Sequence, residues 1–268
     1  MLNKINSLPK DEIIKSYLNN RSSLYLAKDY SVSFGTILNL LRQNGVKIRK
    51  TNKKYSYDHT YFDNINSEDR AYFMGLIYAD GNNNGTALYI KLQDRDVHIL
   101  ETMKKYMKSN HKLYLRKYSD KNPKWRDQYL LRIFDPRLSV SMEKIGIPKN
   151  KTFKLKFPTW LNDELTRHFI RGFFDGDGSL SFSLVRGYKK AIWRMFGLKN
   201  ICEHLAKIIK KQVGINTHVY KVEKTYAVTV SGNIQILKLM NWLYENSNPE
   251  LRLIRKYEKY ISLIGGDE

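Results

Sequence analysis

The chain has 268 residues, 47 of them Lys or Arg and 26 Asp or Glu, so it carries +21 near neutral pH, and its 42% hydrophobic residues suffice for a core and exclude wholesale disorder. A single cysteine, Cys202, excludes a disulfide framework and a multi-thiolate zinc site, and no apolar run has the ~18 residues of a membrane span or forms a secretion-signal core. These features lead one to expect an intracellular protein, away from membranes, with a polyanionic partner, nucleic acid first.

The first 50 residues read as three short helices. Ile13, Ile14, Tyr17 and Leu18 have helical spacing after Asp11. A second helix is expected from Ser23 to Asp29 with Leu24, Leu26 and Ala27 inward, and a third from Ser33 to Gln43 with Ile37, Leu40 and Leu41 inward, stopped by Gly45. Ser33, Thr36, Asn39, Arg42 and Gln43 line the polar face of the third. The stretch SSLYLAKDYSVSFGTILNLLRQNGV resembles the helix-turn-helix of resolvases and invertases, with Tyr30 in place of the glycine usual at the turn. That resemblance implies DNA contacts from Ser33, Thr36, Asn39 and Arg42. Residues 51–65 have no sustained period and read as a linker along a phosphate backbone.

An internal repeat follows. AYFMGLIYADG, beginning at Ala71, superposes on HFIRGFFDGDG, beginning at His168, at one offset: 172 − 75, 177 − 80 and 178 − 81 all give 97. Strand-like TALYIKL, helical DVHILETMKKYM, strand-like HKLYLRKY and QYLLRIF and helical PRLSVSMEKIG follow the first copy. SLSFSLV, AIWRMFG, NICEHLAKIIKKQV, THVYKV, YAVTV, NIQILKLMNWLY and a closing LRLIRKYEKYISLI follow the second. The expected fold is α+β, two αββαββα halves spanning 66–158 and 159–268, each sheet with one solvated face.

Gly75 and Ala79, like Gly172 and Gly176, lie four apart on one helix face and permit two backbones to approach closely. Packing along that face would bring Asp80 and Asp177 together at two helix C-termini, where they repel each other and meet the negative ends of two dipoles. A hard divalent cation with oxygen ligands, Mg²⁺ above all, answers that arrangement. Mn²⁺ or Ca²⁺ could substitute for binding.

FMGLIYADG and IRGFFDGDG are similar to the two signatures of LAGLIDADG homing endonucleases, over roughly residues 66 to 265. The resemblance implies a single-chain, monomeric enzyme that cuts both strands of a DNA site with metal and leaves short 3′ overhangs. It implies Asp80 and Asp177 as catalytic metal ligands, with Ala79 and Gly176 beside them. Tyr78 stands where the motif has its inner acid, which Asp175 retains. Gln93 matches a polar residue the family places near the scissile phosphate, whereas Gly197 or Leu198 stands there in the second copy, so unequal half-sites are expected. A basic residue is also expected after the last helix of each half, either Lys149 or Lys151 and either Arg255 or Lys256. Thr86, Tyr89 and Lys91, with Ser181, Ser183, Arg186, Lys189 and Lys190, are candidate DNA contacts on the strands. The alternative is a catalytically silent regulator of the same fold, or a maturase acting on intron RNA. A calcium loop opening at Asp80 is rejected because its twelfth position is Lys91 rather than an acid. His98, His168 and His204 read as packing or surface groups.

Overall fold

The computed structural model describes residues 8–49, 55–186 and 188–264. The side chains of residues 185, 188 and 189 also fall outside that description. The chain divides into two compact units, Met1–Lys54 and Tyr55–Glu268.

In the small unit, α1 (Lys10–Leu18), α2 (Ser23–Asp29) and α3 (Phe34–Gln43) enclose Ile13, Tyr17, Leu26, Ala27, Ile37, Leu40 and Leu41. Ser22 caps α2 by accepting from Tyr25 N, and Ser33 caps α3 by accepting from Thr36 N. Gly45, at φ +70°, ends α3 as expected, because a residue without Cβ enters the left-handed region at no steric cost. Leu24, expected inward, is exposed, as is Leu18. Leu24 is about 200° around the helix from Leu26, so in a seven-residue helix only one of them can face the core. The left-handed residue between α2 and α3 is Ser31, at φ +50°, rather than Tyr30.

Residues 55–65 do not form a free linker. Tyr57, Tyr61, Phe62 and Ile65 are buried in the core of the large unit, because a segment this aromatic gains more from burial than from solvent. Residues 51–54 of the expected linker lie outside the described residues.

The large unit consists of two halves with the same order of elements. The first comprises α4 (Glu68–Asp80), β1 (Gly81–Asn83), β2 (Ala87–Gln93), α5 (Val97–Tyr106), β3 (Leu113–Arg116), β4 (Gln128–Phe134) and α6 (Pro136–Lys144). The second comprises α7 (Asp163–Asp177), β5 (Gly178–Val185), β6 (Tyr188–Gly197), α8 (Lys199–Val213), β7 (His218–Val222), β8 (Thr225–Ser231) and α9 (Asn233–Tyr244), and α10 (Ile254–Ile264) follows. Each half holds a four-stranded antiparallel sheet, in the orders β1-β2-β4-β3 and β5-β6-β8-β7. The fold is α+β. In β2, Leu88, Ile90 and Leu92 point to the core, and Tyr89, Lys91 and Gln93 alternate on the other face. The motif helices α4 and α7 are buried on nearly all sides, as befits helices at the centre of the unit. Among the described residues, no helix is long and apolar enough to cross a membrane.

Candidate active site

The motif helices meet backbone to backbone. A Cβ on Gly75 would stand 2.0 Å from the Phe169 carbonyl oxygen, and one on Gly172 would stand 1.9 Å from that of Tyr72. A Cβ on Gly176 would lie 2.1 Å from Ala79 Cβ and 3.0 Å from Asp80 Oδ2, so the first carboxylate rests against the second helix. Cross-helix bonds lock this register: Tyr72 donates to Asp175 (2.7 Å), and the fully buried Arg171 donates to Glu68 (2.7 Å).

Asp80 and Asp177 therefore end up as neighbours, exposed to solvent at the mouth of the site and walled by protein behind. Burial against that wall, then the charge of Asp177, pushes the Asp80 carboxyl up to about 6, opposed by Lys151 and Lys256. Burial likewise raises Asp177, against the same two lysines. Among the described residues no third acid, histidine or cysteine joins them as a metal ligand. The donor set is thus two carboxylates with open space for water and phosphate oxygens, which fits a hard cation such as Mg²⁺ and not zinc.

Of the four basic candidates, the fold brings two to the carboxylates. Lys151 Nζ donates to the carbonyls of Ile77 (2.9 Å), Tyr78 and Ala79 (2.7 Å), the last turn of α4. Lys256 Nζ does the same for α7, reaching Phe174 (2.5 Å), Asp175 (2.7 Å) and Gly178 (2.6 Å). Each lysine thus places a positive charge at the negative end of a motif helix and beside an acid. Burial lowers both to about 8, while the neighbouring acids pull the other way. Lys149 is drawn instead to Glu143 (3.3 Å), and Arg255 to the buried Asp96 (3.1 Å). The Ala79 carbonyl is engaged by Lys151, whereas Gly176 flanks Asp80 through its bare Cα.

The inner motif positions hold the segments that carry these lysines. The Tyr78 hydroxyl donates to the carbonyls of Gly146 (2.9 Å) and Lys156 (3.4 Å), on either side of Lys151. Asp175 accepts from Leu253 N (2.9 Å), three residues before Lys256. A tyrosine and an aspartate thus do equivalent work, one as donor and the other as acceptor.

Strand register defines which positions correspond. Gly81 pairs with Ile90 and Gly178 with Met195, so beyond the first hairpin the offset grows to 195 − 90 = 105. The lysines obey it, since 256 − 151 is also 105. Lys91 then corresponds to Phe196 and Gln93 to Leu198 (198 − 93 = 105). Asp80 shares an open cleft with Asn82, Asn84, Tyr89 and Lys91. Asp177 opens on a cavity of about 430 Å³ lined by Phe173, Gly197, Leu198, Ile201 and Lys151. At the corresponding strand positions the first half therefore offers Lys91 and Gln93 where the second has Phe196 and Leu198. Gln93 lies further along β2, its Oε1 accepting from Arg95 Nε (2.8 Å).

On the solvated sheet faces Lys91, Thr86, Ser181 and Lys190 are exposed, Tyr89 and Ser183 are half-buried, and Arg186 occupies the β5–β6 turn at φ +52°. Lys189 lies outside the described side chains. The alternation of β4 also brings Arg132 to this face, stacked over Phe134 and Tyr114, and in the second sheet Arg194 and Tyr220 converge on Thr229. Sequence reading passed over these; the alternation in QYLLRIF, AIWRMFG and THVYKV was the available signal. In the small unit, Ser33, Asn39 and Arg42 are exposed and Thr36 is half-buried, bonded to Ser33.

No protein-family model matches the chain. An uncharacterized protein of Methanocaldococcus jannaschii is 25% identical over 190 residues, 69% of each chain. DNA-directed RNA polymerase subunit Rpo1C of the same organism is 27% identical over 116 residues, 42% of this chain and 13% of that subunit. Among solved structures, the I-LtrWI LAGLIDADG homing endonuclease bound to target DNA is similar at a TM-score of 0.49 and 12% identity, covering 77% of this chain and 90% of that one. Full-length DUF199/WhiA from Thermatoga maritima is similar at 0.48 and 12%, covering 78% of this chain and 66% of that one.

Proposed function

We propose that this chain is a metal-dependent, sequence-specific DNA endonuclease of the LAGLIDADG type, a monomer that cuts both strands of its site. The observation that carries the reading is the carboxylate pair itself: two acids crowded at two helix ends, each with a dedicated lysine behind it, Lys256 buried and Lys151 half-buried. A protein that only binds phosphates gains nothing from negative charge at the centre of its binding face. Asp80 and Asp177 would hold the cation, which supplies Lewis-acid stabilisation of phosphodiester charge and acidifies water. The chain's own groups do the rest. Lys91 and Tyr89, sharing the Asp80 cleft, hold and orient the phosphate on that side. Lys151 and Lys256 keep the helix-end carbonyls satisfied and hold both acids ionised by their charge. The solvated strand faces lie in the major groove and read bases there, and the +21 charge provides salt-sensitive phosphate affinity. The small unit adds contacts on one flank through α3.

The test is sequencing of DNA ends released from a randomised duplex library, with Mg²⁺ and with EDTA, for the wild type, Asp80→Asn and Asp177→Asn. Defined, metal-dependent ends that vanish or become single-strand nicks in the variants would establish the nuclease. Site-selective retention of DNA without ends would favour a regulator of the same fold, a reading that the WhiA likeness keeps in view. Absence of both would direct attention to intron RNA.

A further inference from the structure

The two halves differ most at one connection. Between β7 and β8 only Glu223 and Lys224 intervene, whereas β3 and β4 are joined by the eleven residues 117–127. That longer loop carries Lys117, Lys121, Lys124 and Arg126 against Asp120 and Asp127, 4 − 2 = +2. It is folded on itself: Asp127 Oδ1 accepts from Tyr118 N, Ser119 N (2.9 Å each) and Ser119 Oγ (2.7 Å), and Asn122 accepts from Lys124 N and Trp125 N. With Gln93, Arg95 and Gln128, it walls an open cleft of about 660 Å³. Trp125 is 54% exposed there, and no other ring of the described residues stacks on it. A large apolar indole left in water among cations, on a loop braced by its own hydrogen bonds, is a preformed platform for a flat, anion-linked ring.

Its position follows from the register. Asp80 immediately precedes Gly81, which faces Ile90, so the 91–93 end of β2 lies at the carboxylate end of the sheet. Gln93 pairs with Gln128 and Gln128 with Arg116, which puts the 117–127 loop at that same end. The short turn of the other half confirms the place, since Lys224 and Thr225 border the cavity that Asp177 opens on. We propose that the cleft of Gln93, Arg95, Tyr118, Lys124, Trp125 and Arg126 is a subsite for an unstacked nucleotide of single-stranded DNA, its base on Trp125 and its phosphate on Lys124 and Arg126. It rests on the endonuclease reading, and in that setting it holds the strand end opened by cleavage on the first half alone.

Binding of a dT12 oligonucleotide and of a mixed-sequence 30-base-pair duplex, in EDTA, to the full chain and to Trp125→Ala, Trp125→Phe and Lys124→Ala/Arg126→Ala tests it. Removing a stacked base costs about 1–3 kcal/mol, roughly 5- to 150-fold. Trp125→Ala should therefore weaken dT12 at least fivefold while duplex affinity changes less than twofold, and Trp125→Phe should retain most of the affinity. Wild-type tryptophan emission should fall on dT12 addition, with that quench absent from Trp125→Phe. Equal dT12 affinity in wild type and Trp125→Ala, or a duplex loss as large as the dT12 loss, overturns the subsite while leaving the nuclease reading intact. Failure of the wild type to bind either DNA overturns both.

Discussion

Replacing Gly172 by alanine tests the central packing most directly. The added Cβ would start 1.9 Å from the Tyr72 carbonyl oxygen, 2.8 Å from its carbonyl carbon and 3.1 Å from Leu76 N. Ordinary contact is about 3.4 Å, so the helices must part by roughly 1.5 Å, and the obstacle is backbone on both sides, which no rotamer change relieves. Overpacking of this kind costs about 1–3 kcal/mol and occasionally more, while the better helix propensity of alanine returns about 1 kcal/mol. With the cost at the upper end because backbone must move, the net loss is about 1–2 kcal/mol, which in a unit of this size lowers Tm by roughly 2–8 °C. Gly35→Ala serves as control: its nearest neighbour would be Ser33 Oγ at 3.7 Å, so there the propensity gain should dominate and stability should rise slightly. Circular dichroism melts of the three proteins give the answer. If Gly172→Ala melts within 1 °C of wild type, the helices do not pack in this register, and the neighbourhood of Asp80 and Asp177 falls with it.

Asp80, pushed up to about 6 from an ordinary value near 3.9, holds its proton more tightly folded than unfolded, so its contribution to stability falls as pH rises from about 4 to 6 and is level above. Without metal, Asp80→Asn should raise Tm at pH 7.5 and lose most of that advantage by pH 4.5; an advantage independent of pH would contradict the paired-charge account. By the same titration, cation affinity and DNA cleavage should rise through about pH 6. Lys256→Met leaves the buried Asp175 short of a cation and three carbonyls without their donor, so it should cost about 3–5 kcal/mol by urea denaturation; a loss under 1 kcal/mol would deny the lysine its capping role. Removing residues 1–50 takes away 9 − 3 = +6 of charge, and should flatten the slope of log affinity against log salt by about 0.9 for each lost phosphate contact and shorten the footprint on one flank. An unchanged slope and footprint would separate the small unit from DNA binding.

Periodicity and repeats carried most of the architecture. The duplicated motif, its small-residue face and the αββαββα order were legible because each depends on local spacing, and the ends of α2 and α3 were legible because serine caps and Gly45 act within a few residues. The motif acids were legible for the same reason: an aspartate at each helix end must approach its twin once the glycine faces pack. What depended on partners far apart in the chain was not. Lys149 and Lys151 are two residues apart and alike in chemistry, and only the path of the chain after α6 aims one at the helix carbonyls and the other at Glu143. Arg255 and Lys256 were parted by a buried acid, Asp96, 159 residues away. Residues 55–65 lack a period because irregular backbone, rather than a helix or strand, carries their aromatic side chains into the core. The sequence narrowed the counterpart of Gln93 to Gly197 or Leu198 and with it the inequality of the half-sites, but the shift in offset from 97 to 105, which decides for Leu198, appears only once hydrogen-bonded register fixes which residues face each other.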